Sequence, residues 1–247
     1  MQTPGAQDMA KLTWLDPAVN LDLLHALVEN AHAAIVSAYP DLVTDQFGGN
    51  FIEGASHFDV TVTMDVAPRF LPAIPGPGAF PELNVRTYVR RGRRSGVWFF
   101  SLDAASRVAV EGARRGFDLP YYRATMSAET DGGWIAYRSE RQDRRGPPAA
   151  FAARYRPIQP VRPVPWASLD RFLTDRFGLF AADADGRLSW TAIRHEPWRL
   201  QAAEAEIEVN TMTTALGIEL SGPPALLQFA RRTDVVAWWP RPLERRR

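Results

Sequence analysis

The chain has 247 residues, 46% of them apolar and 23% charged, and a formal net charge of +1. That is the balance of an ordinary globular protein, long enough to bury one substantial core. It contains no cysteine, which excludes disulfides, thiolate nucleophiles and cysteine-ligated zinc. No apolar run approaches the ~20 residues of a membrane helix. The opening MQTPGAQDMAKL lacks the basic-then-apolar order of a signal peptide, and a net charge this small supplies no field toward nucleic acid or membrane. The expectation is a cytoplasmic protein with no membrane or nucleic-acid partner.

Lys11 is the only lysine; the other Lys/Arg positions are all arginine. Arginine stays protonated and forms no Schiff base, whereas a lysine of lowered pKa does. Residues 1–13 read as a flexible tail, 14–240 as a single domain and 241–247 as a basic stub. After Asp16-Pro17, apolar residues from Leu21 to Val36 recur at helical spacing up to Pro40. His57–Thr63 alternates as a strand does, and Pro72–Pro81, rich in proline and glycine, reads as a loop. Gly76-Pro77-Gly78 lacks the context of a dinucleotide-binding turn.

A hairpin follows. Leu83, Val85, Thr87 and Val89 share one face of its first strand, and Glu82, Asn84, Arg86 and Tyr88 share the other. Placing Val85 opposite Leu102, Thr87 opposite Phe100 and Val89 opposite Trp98 makes one continuous apolar face. That register sets Arg86 against Ser101 and Asn84 against Asp103. Asp103 then suits the N-cap of a helix over Ala104–Arg115, closed by Gly116. Strands are expected at Tyr121–Ala128, Trp134–Arg141 and Phe151–Arg156. A helix capped by Ser168 runs over 168–177, a hairpin turns at Asp183–Gly186, and a last strand lies near Val235–Trp239.

Glu82, Asn84, Arg86 and Tyr88, with Ser101 expected opposite Arg86, suit a pocket in which arginine holds a carboxylate and a tyrosine hydrogen-bonds a carbonyl. Polar alternation is equally what the wet face of a sheet shows. His195 suits a general base, or a structural histidine bonded to the backbone of its turn. His25 and His32 are seven apart, ~10 Å along a helix, too far to share one metal. With no HExxH, no paired aspartates and no GxSxG, neither a metal nor any other cofactor is expected. The arginine pairs sit mostly at turns and helix ends, nearly balanced by acids.

The strings FPELNVRTYV, GVWFFSLDA, LPYYRATM, SLDRFLTDRFGLF and HEPWRLQ, in that order from Phe80 to Gln201, resemble the YqjF-like family of uncharacterised proteins. The likeness extends to about Trp239. From Lys11 to Val66 it is confined to echoes at Phe47-Gly48-Gly49 and His57-Phe58. The family is grouped with the acetoacetate-decarboxylase-like fold. The resemblance implies an α+β protein, a mainly antiparallel β cone or partly closed barrel with flanking helices and an interior cavity. Decarboxylases of that group use Pro-Lys-Lys; the similar position here reads Pro120-Tyr121-Tyr122, and Glu82 resembles their nearby glutamate.

With Lys11 assigned to a tail, Schiff-base decarboxylation is not expected. The reading is a binding protein, or cofactor-independent enzyme, for a small anionic or carbonyl-containing molecule such as a carboxylate or keto acid. Glu82, Tyr121, Tyr122 and His195 are the candidates for chemistry; Asn84, Arg86, Tyr88 and Ser101 are the candidates for binding. Tyr121 and Tyr122 point to opposite faces of a strand, so one of them at most enters the cavity. The alternative is a non-catalytic scaffold that uses its outer surface.

Overall fold

The computed structural model describes residues 9–14, 42–44, 58–66, 80–214, 224 and 226–244. The expected helix over 21–36, Phe47-Gly48-Gly49, His57 and most of the proline-rich loop fall outside these. In chain order the elements are β1 (Met9–Trp14), β2 (Val43–Thr44), β3 (Phe58–Val66), β4 (Phe80–Arg91) and β5 (Arg94–Ala104), then α1 (Arg107–Phe117). There follow β6 (Tyr121–Asp131), β7 (Trp134–Arg141), β8 (Ala150–Pro157) and α2 (Leu169–Thr174). The remainder are β9 (Gly178–Ala182), β10 (Leu188–His195), β11 (Leu200–Asn210), β12 (Leu226–Ala230), β13 (Val235–Ala237) and β14 (Arg241–Pro242).

The described residues are mostly strand with few helices, and their sheet is mixed rather than purely antiparallel. Most neighbours pair antiparallel, including β3 with β4 and β4 with β5. β5 instead runs parallel to β6 along Leu102–Ala104 and parallel to β9 along Val97–Trp98. The first of these has a simple cause. A parallel neighbour needs a crossover, and α1 lies between β5 and β6 in the chain. Among the described residues no helix is long and apolar enough to cross a membrane.

Met9–Trp14 is no tail. It forms β1, paired with β3 on one side and β12 on the other. Lys11 therefore stands within the sheet, opposite Thr61 and Gln228.

The β4–β5 register also differs from expectation. Asn84 faces Leu102 and Val85 faces Ser101, after which Arg86 faces Phe99 and Thr87 faces Trp98. Between these pairs β5 advances two residues while β4 advances one, which is a β-bulge in β5. A sequence read on strict alternation misses that extra residue. The bulge turns Leu102 to the face opposite Trp98 and Phe100. It also sets Ser101 beside Val85 rather than beside Arg86.

Both faces of β4 are covered. Leu83 and Val85, with Phe100, pack into the main core with Tyr137, Phe151, Tyr155 and Phe229. On the reverse face Tyr88 and Val97 pack with Leu173 of α2. Each such large side chain removed from water contributes roughly 1.5–3 kcal/mol. With α2 packed on Tyr88 and Tyr121 bonded to Glu82, this is not a wet face: Asn84 is 5% exposed and Arg86 9%.

The helix α1 begins later than the sequence suggested. Ser106, not Asp103, is its N-cap, accepting from the Ala109 amide at 3.3 Å. Asp103 still belongs to β5, with its carboxylate fully buried. At the other end the helix runs past Gly116 to Asp118, which takes the left-handed conformation (φ 52°) and returns its N–H to Ala113 O. Ser168 caps α2 as expected. The segment Leu200–Asn210 is an unexpected strand. Arg154 of β8 is bidentate to Glu206 of β11, and Arg156 pairs with Glu204.

Candidate functional site

The site is built on the polar face of β4. Glu82 lies on it two residues from Asn84, which faces Leu102 of β5, and Leu102 faces Tyr121 of β6. The Tyr121 hydroxyl reaches over β5 and donates to Glu82 Oε2 at 2.6 Å. From the opposite side of the strand the Tyr137 hydroxyl donates to the Glu82 carbonyl oxygen at 2.8 Å. Residues far apart in sequence thus hold both the main chain and the side chain of Glu82.

Burial pushes the Glu82 carboxyl above its ordinary value, opposed by hydrogen bonds from Tyr121 and Asn84 and by the charge of Arg86. Burial, with the negative charge of Glu82 beside it, raises the Tyr121 phenol well above its usual value. Tyr121 therefore keeps its proton and acts as a donor, while Glu82 is the group able to exchange one. Of the two bonds that favour the Glu82 carboxylate, the one from Asn84 draws on its amide nitrogen, since an amide oxygen only accepts, and Asn84 Oδ1 is left as an acceptor. Among the described residues that oxygen has no partner, although Asn84 is buried.

Tyr122, on the other face of β6, belongs to a second polar centre. Its ring lies under the Arg141 guanidinium, 4.2 Å from ring centre to Cζ. Arg141 grips Asp103: Nε donates to Oδ1 at 2.9 Å and a terminal nitrogen stands 2.7 Å from the same oxygen. A further Arg141 nitrogen donates to Pro147 O at 3.1 Å. Burial pushes the Asp103 carboxyl up to about 6 despite Arg141, with Asp143 adding a smaller upward push. So the two neighbouring tyrosines serve opposite faces, Tyr121 with Glu82 and Tyr122 with Asp103 and Arg141.

The other candidates divide by the same geometry. Ser101 stands on the Asp103 side of the sheet, not opposite Arg86, because of the bulge. Tyr88 donates to Leu173 O at 3.0 Å and packs on Phe172 and under Arg176. Its hydroxyl thus anchors α2. His195 sits at the end of β10 with Nδ1 2.9 Å from Glu196 O and Nε2 3.1 Å from Arg176 O, its ring stacked on Phe177. That is a histidine held by backbone. Sequence reading missed Asn84's bond to Glu82, Tyr137 and Arg141. The last two carried a signal, since Ile135, Tyr137, Ser139 and Arg141 alternate along β7 and all are buried.

A shallow depression of about 380 Å³ lies elsewhere, over Arg138, Arg154, Glu206 and Glu208 on the outer face of β7, β8 and β11. The charges there are already paired with one another.

Comparison with known proteins agrees with this architecture. The chain is 48% identical over 243 residues to the uncharacterized protein YqjF of Bacillus subtilis, spanning 96% of this chain and 94% of that one. Similarity thus includes the N-terminal region that the sequence reading set apart. Among solved structures it resembles acetoacetate decarboxylase from Legionella pneumophila, with a TM-score of 0.57 at 13% identity, covering 97% of this chain and 85% of that one. An acetoacetate decarboxylase-like enzyme from Sphingomonas wittichii gives a TM-score of 0.56 at 12% identity, covering 96% and 91%. The enduracididine biosynthesis enzyme MppR, complexed with pyruvate, gives 0.55 at 11% identity, covering 99% and 92%. These likenesses show the fold. The sequence pattern of a family described as an uncharacterized conserved protein, DUF2071, matches residues 41–234, and the chain, related in this way to Bacillus YqjF, belongs to that family.

Proposed function

We infer that the chain binds a small carboxylate or keto acid on the polar face of β4, either as a binding protein or as an enzyme working by proton transfer without a cofactor. The pairings run from β4 through β5, β6, β7, β8, β11, β12, β1 and β3 back to β4, and we read that circuit as a cone whose wall carries the site. The Glu82–Tyr121 hydrogen bond carries the reading. A buried carboxyl with a raised pKa is suited to give and take a proton; when it is protonated the Tyr121 hydroxyl is released to donate to a carbonyl, and Arg86 is suited to hold a carboxylate. Structurally similar proteins include decarboxylases of acetoacetate and an enzyme complexed with pyruvate, which supports a small acid as the ligand. The position resembling the decarboxylase lysines holds Pro120-Tyr121-Tyr122, which speaks against amine catalysis from β6.

The test is a thermal-shift titration of the full chain with acetoacetate, pyruvate and butyrate, repeated on Arg86→Ala. A ligand at 100 times its Kd adds about 2.7 kcal/mol of stability, so binding appears as a saturable rise in Tm. Loss of a buried charge partner in Arg86→Ala should weaken binding by ~2–5 kcal/mol. If none of the acids raises Tm, or Arg86→Ala responds like wild type, the site reading fails and the scaffold alternative replaces it.

A further inference from the structure

Among the described residues β13 is an edge strand, paired with β10 alone. Every residue from Asp234 to Trp239 is exposed. Four of them are large and apolar: Val235 is 49% exposed, Val236 38%, Trp238 47% and Trp239 74%. Soluble proteins ordinarily guard an edge with a lysine, a proline or an inward-pointing charge. Val235–Trp239 carries none of these.

Register fixes what this edge offers. Val236 pairs with Arg194 and Val235 with His195. Phe177 stacks on the His195 ring, and Trp239 stacks on Phe117 of α1. Strand alternation therefore puts Val235 and Trp239 on one face, beside Phe177, and Val236 and Trp238 on the other. The strand is apolar on both faces. Its backbone is only half used. The Trp238 N–H donates to Ala192 O at 3.0 Å and so points toward β10. In an antiparallel ladder successive residues point opposite ways, so the N–H and C=O groups of Val235 and Ala237 point to the free edge.

We propose that β13 is the contact through which two copies of this chain associate, edge to edge and antiparallel about a two-fold axis at Val236. Such an axis sets Val235 of each copy opposite Ala237 of the other, where their outward N–H and C=O groups pair reciprocally. Val236 meets its own counterpart on one face, flanked by both copies of Trp238. An extended peptide would satisfy the backbone edge, but a second folded copy also lays bulky apolar groups over both faces. With Phe177, 49% exposed, the patch presents roughly 500 Å² of apolar surface per chain. Two copies bring about 1,000 Å² together, the lower bound of a specific interface. Charge does not oppose the contact. Asp234 is bonded by Arg232 at 2.9 Å, and the whole chain carries a formal net charge of +1. The inference is independent of the site reading on β4.

The test is sedimentation equilibrium of the full chain over a wide concentration range, with circular dichroism as the folding control. Wild type should approach twice its 27.6 kDa mass. Val236→Lys sets two like charges on the axis, and Ala237→Pro removes an outward N–H without touching the β10 ladder; each should raise the dimer Kd about tenfold or more. A second readout uses the absence of native cysteine. A residue on the axis stands ~4.5 Å from its counterpart, Cα to Cα, within disulfide range, whereas the two copies of position 237 stand more than ~7 Å apart. Val236→Cys should therefore oxidise to a covalent dimer on a non-reducing gel, and Ala237→Cys should not. A wild type that stays monomeric at every concentration overturns the inference. So does a dimer that Val236→Lys and Ala237→Pro both leave intact, or equal crosslinking of the two cysteine variants.

Discussion

Replacing Asp103 and Arg141 separately and together tests whether the centre under Tyr122 behaves as a buried ion pair. The Asp103 side chain is fully buried and that of Arg141 is 2% exposed. Both Arg141 contacts go to one carboxylate oxygen, while Oδ2 has no partner among the described residues. Asp103→Leu leaves a guanidinium that cannot shed its proton inside the protein, and removing one partner of such a pair costs about 3–5 kcal/mol. Arg141→Met is milder, because the abandoned carboxyl can take up a proton. The double variant removes both charges and should lie within about 1–2 kcal/mol of wild type, giving a coupling of roughly 3 kcal/mol. Urea denaturation at pH 8 measures all four proteins. Additive losses, or an Asp103→Leu loss below about 1 kcal/mol, would refute the ion-pair account.

The same centre fixes a pH dependence. Asp103 holds its proton up to about 6 when folded, against 3.8 ordinarily, so between those values the folded protein binds more protons than the unfolded chain. Stability from this group therefore falls as pH rises through the window, by about 3 kcal/mol in all, and is level above it. Urea midpoints from pH 4 to 8 should show the slope, and Asp103→Asn should lack it. Tyr121→Phe removes a donor from the buried Glu82 carboxylate, so stability at pH 8 should drop by about 1–3 kcal/mol and recover in acid as Glu82 is protonated; an equal loss at pH 8 and pH 5 would contradict this. At Gly146 a Cβ would stand 2.5 Å from Tyr122 Cε1, so Gly146→Ala should cost about 1–3 kcal/mol through overpacking. The loss should shrink in a Tyr122→Leu background, measured by the same denaturation curves.

Local pattern determined a good deal of this protein. Strand alternation at Trp134–Arg141 and in the two halves of the β9–β10 hairpin, the Ser168 cap and the opposite faces of Tyr121 and Tyr122 are all legible because each depends on neighbours a few residues away. The family, too, was readable from short strings spread along the chain. Leu200–Asn210 was not legible as a strand, since its alanines and glutamates favour helix; arginines on β8 pair with its glutamates and make it a strand.

Tertiary structure decided the remainder. Sequence alternation assumes an unbroken pleat, and one extra residue in β5 moves Ser101 away from Arg86 and buries Asp103 under Arg141. Residues near the start of a chain read as a tail when they carry no strong period, yet Met9–Trp14 pairs with strands some fifty and two hundred positions away. That pairing puts Lys11 in a row with Asn84. The composition established that only one amine of this kind exists. Where it stands depends on backbone hydrogen bonds to β3 and β12, which no window of neighbouring residues contains.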